Sequence, residues 1–216
     1  MAENLLARGF EFAVLCAEAR RPELEAEGVP CLPVRLPAGR AGTALRVAYE
    51  ELALPLRSRR LDLLNCVAAV VPVLTSIPTV VALRNLNIYD RRFFSDARVL
   101  TLERLVRLGV GRARRVVFPT QAAADLVRQR IPIPEARVRV VPHGIDPAAF
   151  EAARPPAADV PYLFLPAAVE PHKNVGALIE CRPLLADPRL QAWVAGSTST
   201  HPPYVDRMRA PAEQRG

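Results

Sequence analysis

Short apolar runs alternate with longer stretches of helical spacing along almost the whole chain. Residues 10–16 (FEFAVLC) predict a strand, preceded by a helix end at 4–8 that Gly9 closes. Residues 29–36 read as a short strand broken by prolines. Residues 61–65 (LDLLN) read as another, followed by a small apolar helix over 66–77. Pro78 then opens a strand over 79–83. Residues 97–110 carry helical spacing, with Leu100, Glu103, Arg104, Leu105 and Leu108 sorting into apolar and charged faces. A strand follows at 115–118, and Thr120 is placed to cap a helix over 121–130. A further strand at 138–141 ends sharply at Pro142-His143-Gly144. Residues 151–161 (EAARPPAADVP) have no periodicity and read as a linker. A second unit then begins, with a strand at 162–165, a helix at 174–185 and a strand at 190–196. Residues 197–216 read as loop or disordered tail, and no internal repeat is visible.

This order predicts an α/β fold, because β/α alternation builds mostly parallel sheets covered by helices on both faces. Near-continuous Val, Leu and Phe in the strands fit a sheet buried on both sides. The domains expected are residues 1–150, a linker at 151–161, and the beginning of a second α/β domain at 162–216.

Composition narrows the class. Of 216 residues, 50% are hydrophobic and 24% charged, enough apolar content to offset chain entropy and to exclude general disorder. Four cysteines, Cys16, Cys31, Cys66 and Cys181, lie too far apart in sequence for a paired-thiolate zinc motif. They read as small hydrophobes in a reducing compartment. The N-terminus lacks the pattern of a secretory signal, and the longest apolar run falls far short of the ~20 residues needed to span a bilayer. The expected location is cytoplasmic, with a peripheral contact to the inner face of a membrane as the closest approach to lipid.

Charge is unevenly spread. The formal net charge is +7, and all of it lies in residues 1–150. Residues 84–115 hold nine arginines against Asp90, Asp96 and Glu103. Such a block can attract phosphates, anionic lipids or phosphorylated substrates, and equally can be the solvated face of an Arg-biased protein. Nucleic acid is a poor candidate, since aromatic content is 6% and no nucleic-acid module is visible. Of the 29 basic residues, 28 are arginine and one, Lys173, is lysine.

Lys173 lies in the strongest local signal, residues 166–175 (PAAVEPHKNV). A strand ends there, a short loop carries His172 and Lys173, and Asn174 can cap the next helix. Free N–H groups at a helix start favour an anion, and a lysine adds a point charge suited to phosphate. The alternative is a surface lysine at a helix start. A second signal is residues 140–146 (VVPHGID), where Gly144 allows a turn at the sheet edge at which ligands sit in open α/β folds. His143 there reads as a ligand contact or simply a turn residue, and local context favours the turn residue. A third is residues 83–90 (LRNLNIYD), where Arg84, Asn85 and Asn87 follow a strand and can hold a polyhydroxylated or phosphorylated ligand. No G-x-G-x-x-G follows the first strand, which argues against an ordinary dinucleotide site.

In this order the segments NLLARGFEFAVLC, IPTVVALRN, RRVVFPTQAAADLVRQR, VRVVPHGID and YLFLPAAVEPHKNVGALIE resemble the retaining GT-B glycosyltransferases of the group-one type, glycosyltransferase family four. The likeness covers about residues 4–196. It implies a Rossmann-like N-terminal domain with its first strand missing, plus the start of a second Rossmann-like domain. It also implies transfer of a sugar from a nucleotide-diphosphate donor, as substrate rather than cofactor, to a glycan or lipid-linked acceptor, with no metal required. By this resemblance Lys173 stabilises the donor diphosphate and the charge developing on the leaving group. His172, Asn174 and Gly144 belong to the donor side, and Arg84 with Asn85 to the acceptor side.

The chain also departs from the family pattern. Ala167-Ala168 replaces a common Gly-Arg, removing one phosphate partner. The family's first strand should precede residue 4, and its absence would leave a gap or an unpaired edge in the sheet. No Glu-x₇-Glu segment follows Gly196, where the tail offers only Glu213. Two complete domains need on the order of 300 residues. The expectation is a member truncated at both ends, impaired or inactive by itself. The alternative is a non-catalytic remnant that binds an anionic surface through its basic N-terminal region.

Overall fold

The computed structural model describes residues 7–35, 45–67, 71–92, 97–145, 147–152, 160–185, 187–199 and 201–215. Much of the expected linker, the start of the helix end at 4–8, and Asp146 lie outside them. The chain divides into two compact units, Met1–Leu86 with Leu100–Pro142, and Asn87–Val99 with His143–Gly216. Nothing in composition marks residues 87–99 as part of the second unit.

The first unit opens with a parallel pair, β1 (Val14–Ala17) and β2 (Cys31–Val34), in register from Val14 opposite Cys31. They are joined through α1 (Arg21–Ala26), and Gly9 and Gly28 both adopt positive φ at the turns. A short helix α2 (Leu54–Arg57) continues a π-helical stretch, Tyr49–Ala53. Four parallel strands then form a second sheet in simple order: β3 (Leu64–Cys66), β4 (Thr79–Ala82), β5 (Arg115–Phe118) and β6 (Val138–Val140). Crossovers carry α3 (Ala97–Arg112) between β4 and β5, and α4 (Gln121–Arg128) between β5 and β6.

The core of this unit is built around β4 and β5. Val81, Leu83, Val116 and Phe118 are fully buried, as are Val106 and Val110 of α3 and Ala124 and Val127 of α4. The expected Thr120 cap is present, its Oγ1 accepting from the Ala123 N–H at 3.1 Å. Among the described residues β1–β2 and β3–β6 are separate sheets, so β1 and β3 each have one strand neighbour.

Of the apolar helix expected at 66–77, residues 68–70 lie outside the described residues, and no helix forms among the others. Residues 71–78 are irregular, with Pro72 and Pro78 each lacking an N–H for a helical ladder. Side chains satisfy the backbone instead: the Val73 N–H donates to Glu51 Oε2 at 2.8 Å, and Arg112 donates to the Val73 carbonyl. Val71 is fully buried against α3, where a Cβ on Gly109 would come 2.7 Å from the Val71 Cβ. Apolar content here reflects burial of an irregular segment, which periodicity alone does not distinguish from a short helix.

The second unit contains α5 (Pro147–Ala152), then a parallel pair, β7 (Tyr162–Pro166) and β8 (Gln191–Ala195), connected through α6 (Val175–Cys181). The tail read as loop or disorder is a helix, α7 (Pro202–Arg215). Its Tyr204 is 7% exposed, and the Tyr204 hydroxyl accepts from the Gly176 N–H at 3.4 Å. Val205 and Met208 of α7 line an apolar groove with Leu178, Ile179 and Val194. Burial against α6 outweighs the weak helical periodicity of the tail and the interior Pro211.

Candidate functional site

The turn after β7 is tightly specified. Residues Pro171–Lys173 form one 3₁₀ turn, with the Lys173 N–H donating to the Glu170 carbonyl at 3.0 Å. Asn174 follows at φ 53°, ψ 39°, the left-handed conformation that asparagine tolerates better than most side chains. Its carbonyl accepts from the Ala177 N–H at 3.1 Å, so Asn174 is the hinge between the 3₁₀ turn and α6. The buried Val175 anchors the start of that helix.

A close approach fixes the turn from behind. A Cβ on Gly196, just past β8, would lie 2.3 Å from the Ala167 carbonyl oxygen. Only glycine lets the ends of β7 and β8 come together there. The Val169 N–H, one residue before Glu170, donates to the Ser197 carbonyl at 3.0 Å.

The side chains of this turn divide by environment. Lys173 is exposed and, among the described residues, its ammonium makes no ion pair. His172 is 15% exposed, with Nδ1 3.2 Å from Glu170 Oε2. Its Nε2 lies 3.4 Å from the Asn87 side-chain nitrogen. Asn87 opens a 3₁₀ turn, Asn87–Tyr89, whose Tyr89 is buried. Asp90 stands next, held by Arg92 through bonds of 3.0 and 2.7 Å. Those bonds keep the Asp90 carboxyl below the usual aspartate range, with a smaller contribution from His172.

His172, Lys173 and Asn174 thus share one turn, and Asn87 joins them within the second unit. Gly144 is also in this unit, exposed, with no positive φ and open space where a Cβ would stand, so this backbone does not require glycine. Arg84 and Asn85 lie in the first unit, exposed just past β4. Glu170 and Gly196 escaped sequence reasoning as partners of the turn. Glu170 two residues before a histidine was visible, but its direction depends on the 3₁₀ turn.

Elsewhere, part of the basic block has intramolecular work. Arg107 donates to the Arg130 carbonyl and Arg112 to the Val73 carbonyl, while Arg137, outside the block, donates to the Val110 and Gly111 carbonyls at the end of α3. Burial pushes the Cys66 thiol up to about 11, leaving it a poor nucleophile near neutral pH. Among the described residues no cluster of three or more His, Cys, Asp or Glu could hold a metal ion, and no helix is long and apolar enough to cross a membrane.

Parallel strands joined by helical crossovers, with polar turns past strand ends, define an α/β protein. Residues 1–149 match the family model described as Glycosyltransferase Family 4, and the chain belongs to that family. A search of curated proteins gives no significant match. Among solved structures, the chain is similar to a glycosyltransferase from Rickettsia africae ESF-5, at 14% identity and a TM-score of 0.63. That comparison covers 99% of this chain and 59% of the other. It is also similar to Anabaena Alr3699/HepE, solved in complex with UDP, at 19% identity and a TM-score of 0.67, covering 94% of this chain and 59% of that one. The chain therefore spans about 59% of the length of these two structures.

Proposed function

We propose that the turn Glu170–Asn174 is the donor-diphosphate contact of a retaining glycosyltransferase that moves a sugar from a nucleotide-diphosphate donor to a glycan or lipid-linked acceptor. The observation that carries this reading is Lys173, the one lysine of the chain, exposed and, among the described residues, without a carboxylate partner, on a hinge-locked turn after β7. An ammonium in that position is available to a diphosphate and can stabilise the charge that develops as the nucleotide leaves. His172, Asn174 and Gly144 would complete the donor side. Arg84 and Asn85 would meet the acceptor, their exposed donors matching hydroxyl or phosphate oxygens.

Isothermal titration of the 216-residue chain with UDP tests the donor assignment. Lys173→Ala should weaken binding about tenfold while leaving the unfolding midpoint unchanged. Equal affinity in the two proteins would exclude Lys173 from the donor site. The 216 residues alone should transfer little sugar, because no Glu-x₇-Glu segment follows Gly196 to hold the donor sugar and ribose. Robust transfer from any nucleotide sugar by the purified chain would overturn that part of the reading.

A second reading draws on α3, where Leu100 is 47% and Leu108 55% exposed on a helix that also exposes Arg104 and Arg107. Apolar side chains among arginines suit the surface of an anionic membrane. Co-sedimentation with vesicles should rise with anionic lipid content, and binding indifferent to lipid charge would dismiss it.

A further inference from the structure

His172 and Lys173 are neighbours in sequence, yet their surroundings fit them for different partners. A carboxylate only accepts hydrogen bonds, so the His172 Nδ1 facing Glu170 Oε2 at 3.2 Å carries a proton. The amide nitrogen of Asn87 only donates, so the Nε2 facing it at 3.4 Å offers its lone pair. Together the two contacts select the Nδ1–H tautomer of the neutral ring, since the partner of one ring nitrogen decides the role of the other. Among the described residues, Glu170 is 20% exposed and lies against the ring, and Asp90 is bonded to Arg92.

A neutral imidazole in this tautomer has an acceptor at Nε2 and its only N–H committed to Glu170. Unprotonated phosphate oxygens are acceptors, so this ring has nothing to offer them at Nε2. A hydroxyl can donate to it. We infer that Glu170 is a positioning residue that makes His172 a hydroxyl acceptor, with the Asn87 amide standing where the hydroxyl of a nucleotide ribose or donor sugar would bind, while Lys173 alone takes the diphosphate. This rests on the donor role proposed for the turn and divides that role between two adjacent residues. Asn87 holds the acceptor position by a long bond, which a ligand hydroxyl at normal hydrogen-bond distance can displace.

The test combines imidazole nitrogen NMR with titration of the 216-residue chain by three probes: inorganic diphosphate, UDP and UDP-glucose. In the wild type at a pH where the ring is neutral, His172 should show the Nδ1–H tautomer. Glu170→Ala should shift its population toward Nε2–H, and Glu170→Gln, which keeps an acceptor oxygen in place, should retain it. Lys173→Ala should weaken all three probes about tenfold. His172→Ala and Glu170→Ala should weaken at least one nucleotide probe roughly fivefold but leave inorganic diphosphate within about twofold. Loss on UDP marks the ribose hydroxyl, and loss confined to UDP-glucose marks the sugar.

An Nε2–H tautomer in the wild type, or one unmoved by Glu170→Ala, overturns the positioning role. Equal loss of inorganic diphosphate in His172→Ala and Lys173→Ala overturns the division of labour. Failure of all three probes to bind a wild type with the Nδ1–H tautomer overturns the donor reading and the hydroxyl assignment, and leaves Glu170 as the group that sets the ring.

Discussion

The sheet of β3–β6 and the pair β7–β8 are written in nearly the same residues and end in different states. RVVF of β5 has a strand on each side, and its Val116 and Phe118 are fully buried. Among the described residues, YLFLP of β7 has one strand neighbour, and Phe164 is 55% exposed. In β8, Trp193 is 43% exposed even though its ring stacks on Tyr162 at 4.5 Å. Burial of a parallel strand thus comes from its neighbours and crossover helices, and an apolar run states only the capacity for it. The first unit holds the well-packed core, while the second holds the turn that we propose as the donor contact.

Mutations can break or sharpen this contrast. The largest effect should come from Phe118→Ala, with a loss of about 3–5 kcal/mol for deleting a large ring from a closed core. Urea unfolding followed by circular dichroism measures it. Trp193, the one tryptophan, reports on the second unit by fluorescence, and its transition should move less. Equal shifts in both signals would show that the two regions unfold as one and would remove the contrast. Gly196→Ala should come next, at roughly 1–3 kcal/mol, because its Cβ meets the rigid Ala167 carbonyl rather than a flexible side chain. It should also weaken UDP binding by displacing the turn that follows β7. Unchanged stability would mean that the β7 and β8 ends can separate freely.

Phe164→Ala should cost under about 1 kcal/mol, as expected for a side chain already half in water. A loss comparable to that of Phe118→Ala would indicate that Phe164 is covered in solution. The smallest effect concerns acid. Arg92 holds the Asp90 carboxyl below its ordinary range, so the pair's contribution to stability is complete above the usual aspartate value. It is lost as pH falls through the lowered value. Arg92→Ala should therefore flatten the acid limb of the second unit's stability slightly, read by Trp193 fluorescence between about pH 5 and 2. An acid limb identical to that of the wild type would show that the pair adds nothing.

Strand positions were legible for β4 to β8, whereas β1, expected over 10–16, forms at Val14–Ala17 and β3, expected over 61–65, at Leu64–Cys66. The β5 bounds match the sequence reading residue for residue, and β4, β6, β7 and β8 differ from it by one or two. The Thr120 cap was equally plain, because capping is local chemistry. Residues 71–77 and α7 defied the sequence pattern for opposite reasons. Residues 71–77 are largely apolar but take backbone partners from Glu51 and Arg112, far away in sequence. The α7 segment has the composition of a polar, Pro-containing tail, yet Tyr204 finds the N–H of Gly176. Long-range partners of this kind leave no periodic trace. Of the site, the PHKN turn was visible as residue types at a strand end. The Glu170–His172–Asn87 arrangement was not, since residue 87 stands 85 positions before 172 in the sequence and joins it only on folding.

The sequence by itself determined the α/β class, the family, the strand-end positions of the polar turns and the singularity of Lys173, because each rests on residue type and local spacing. Tertiary structure decided which strands are buried, which arginines bind carbonyls within the protein, and which way the His172 ring is held. Those outcomes depend on partners distant in sequence, and the direction of a hydrogen bond exists only once both partners are in place.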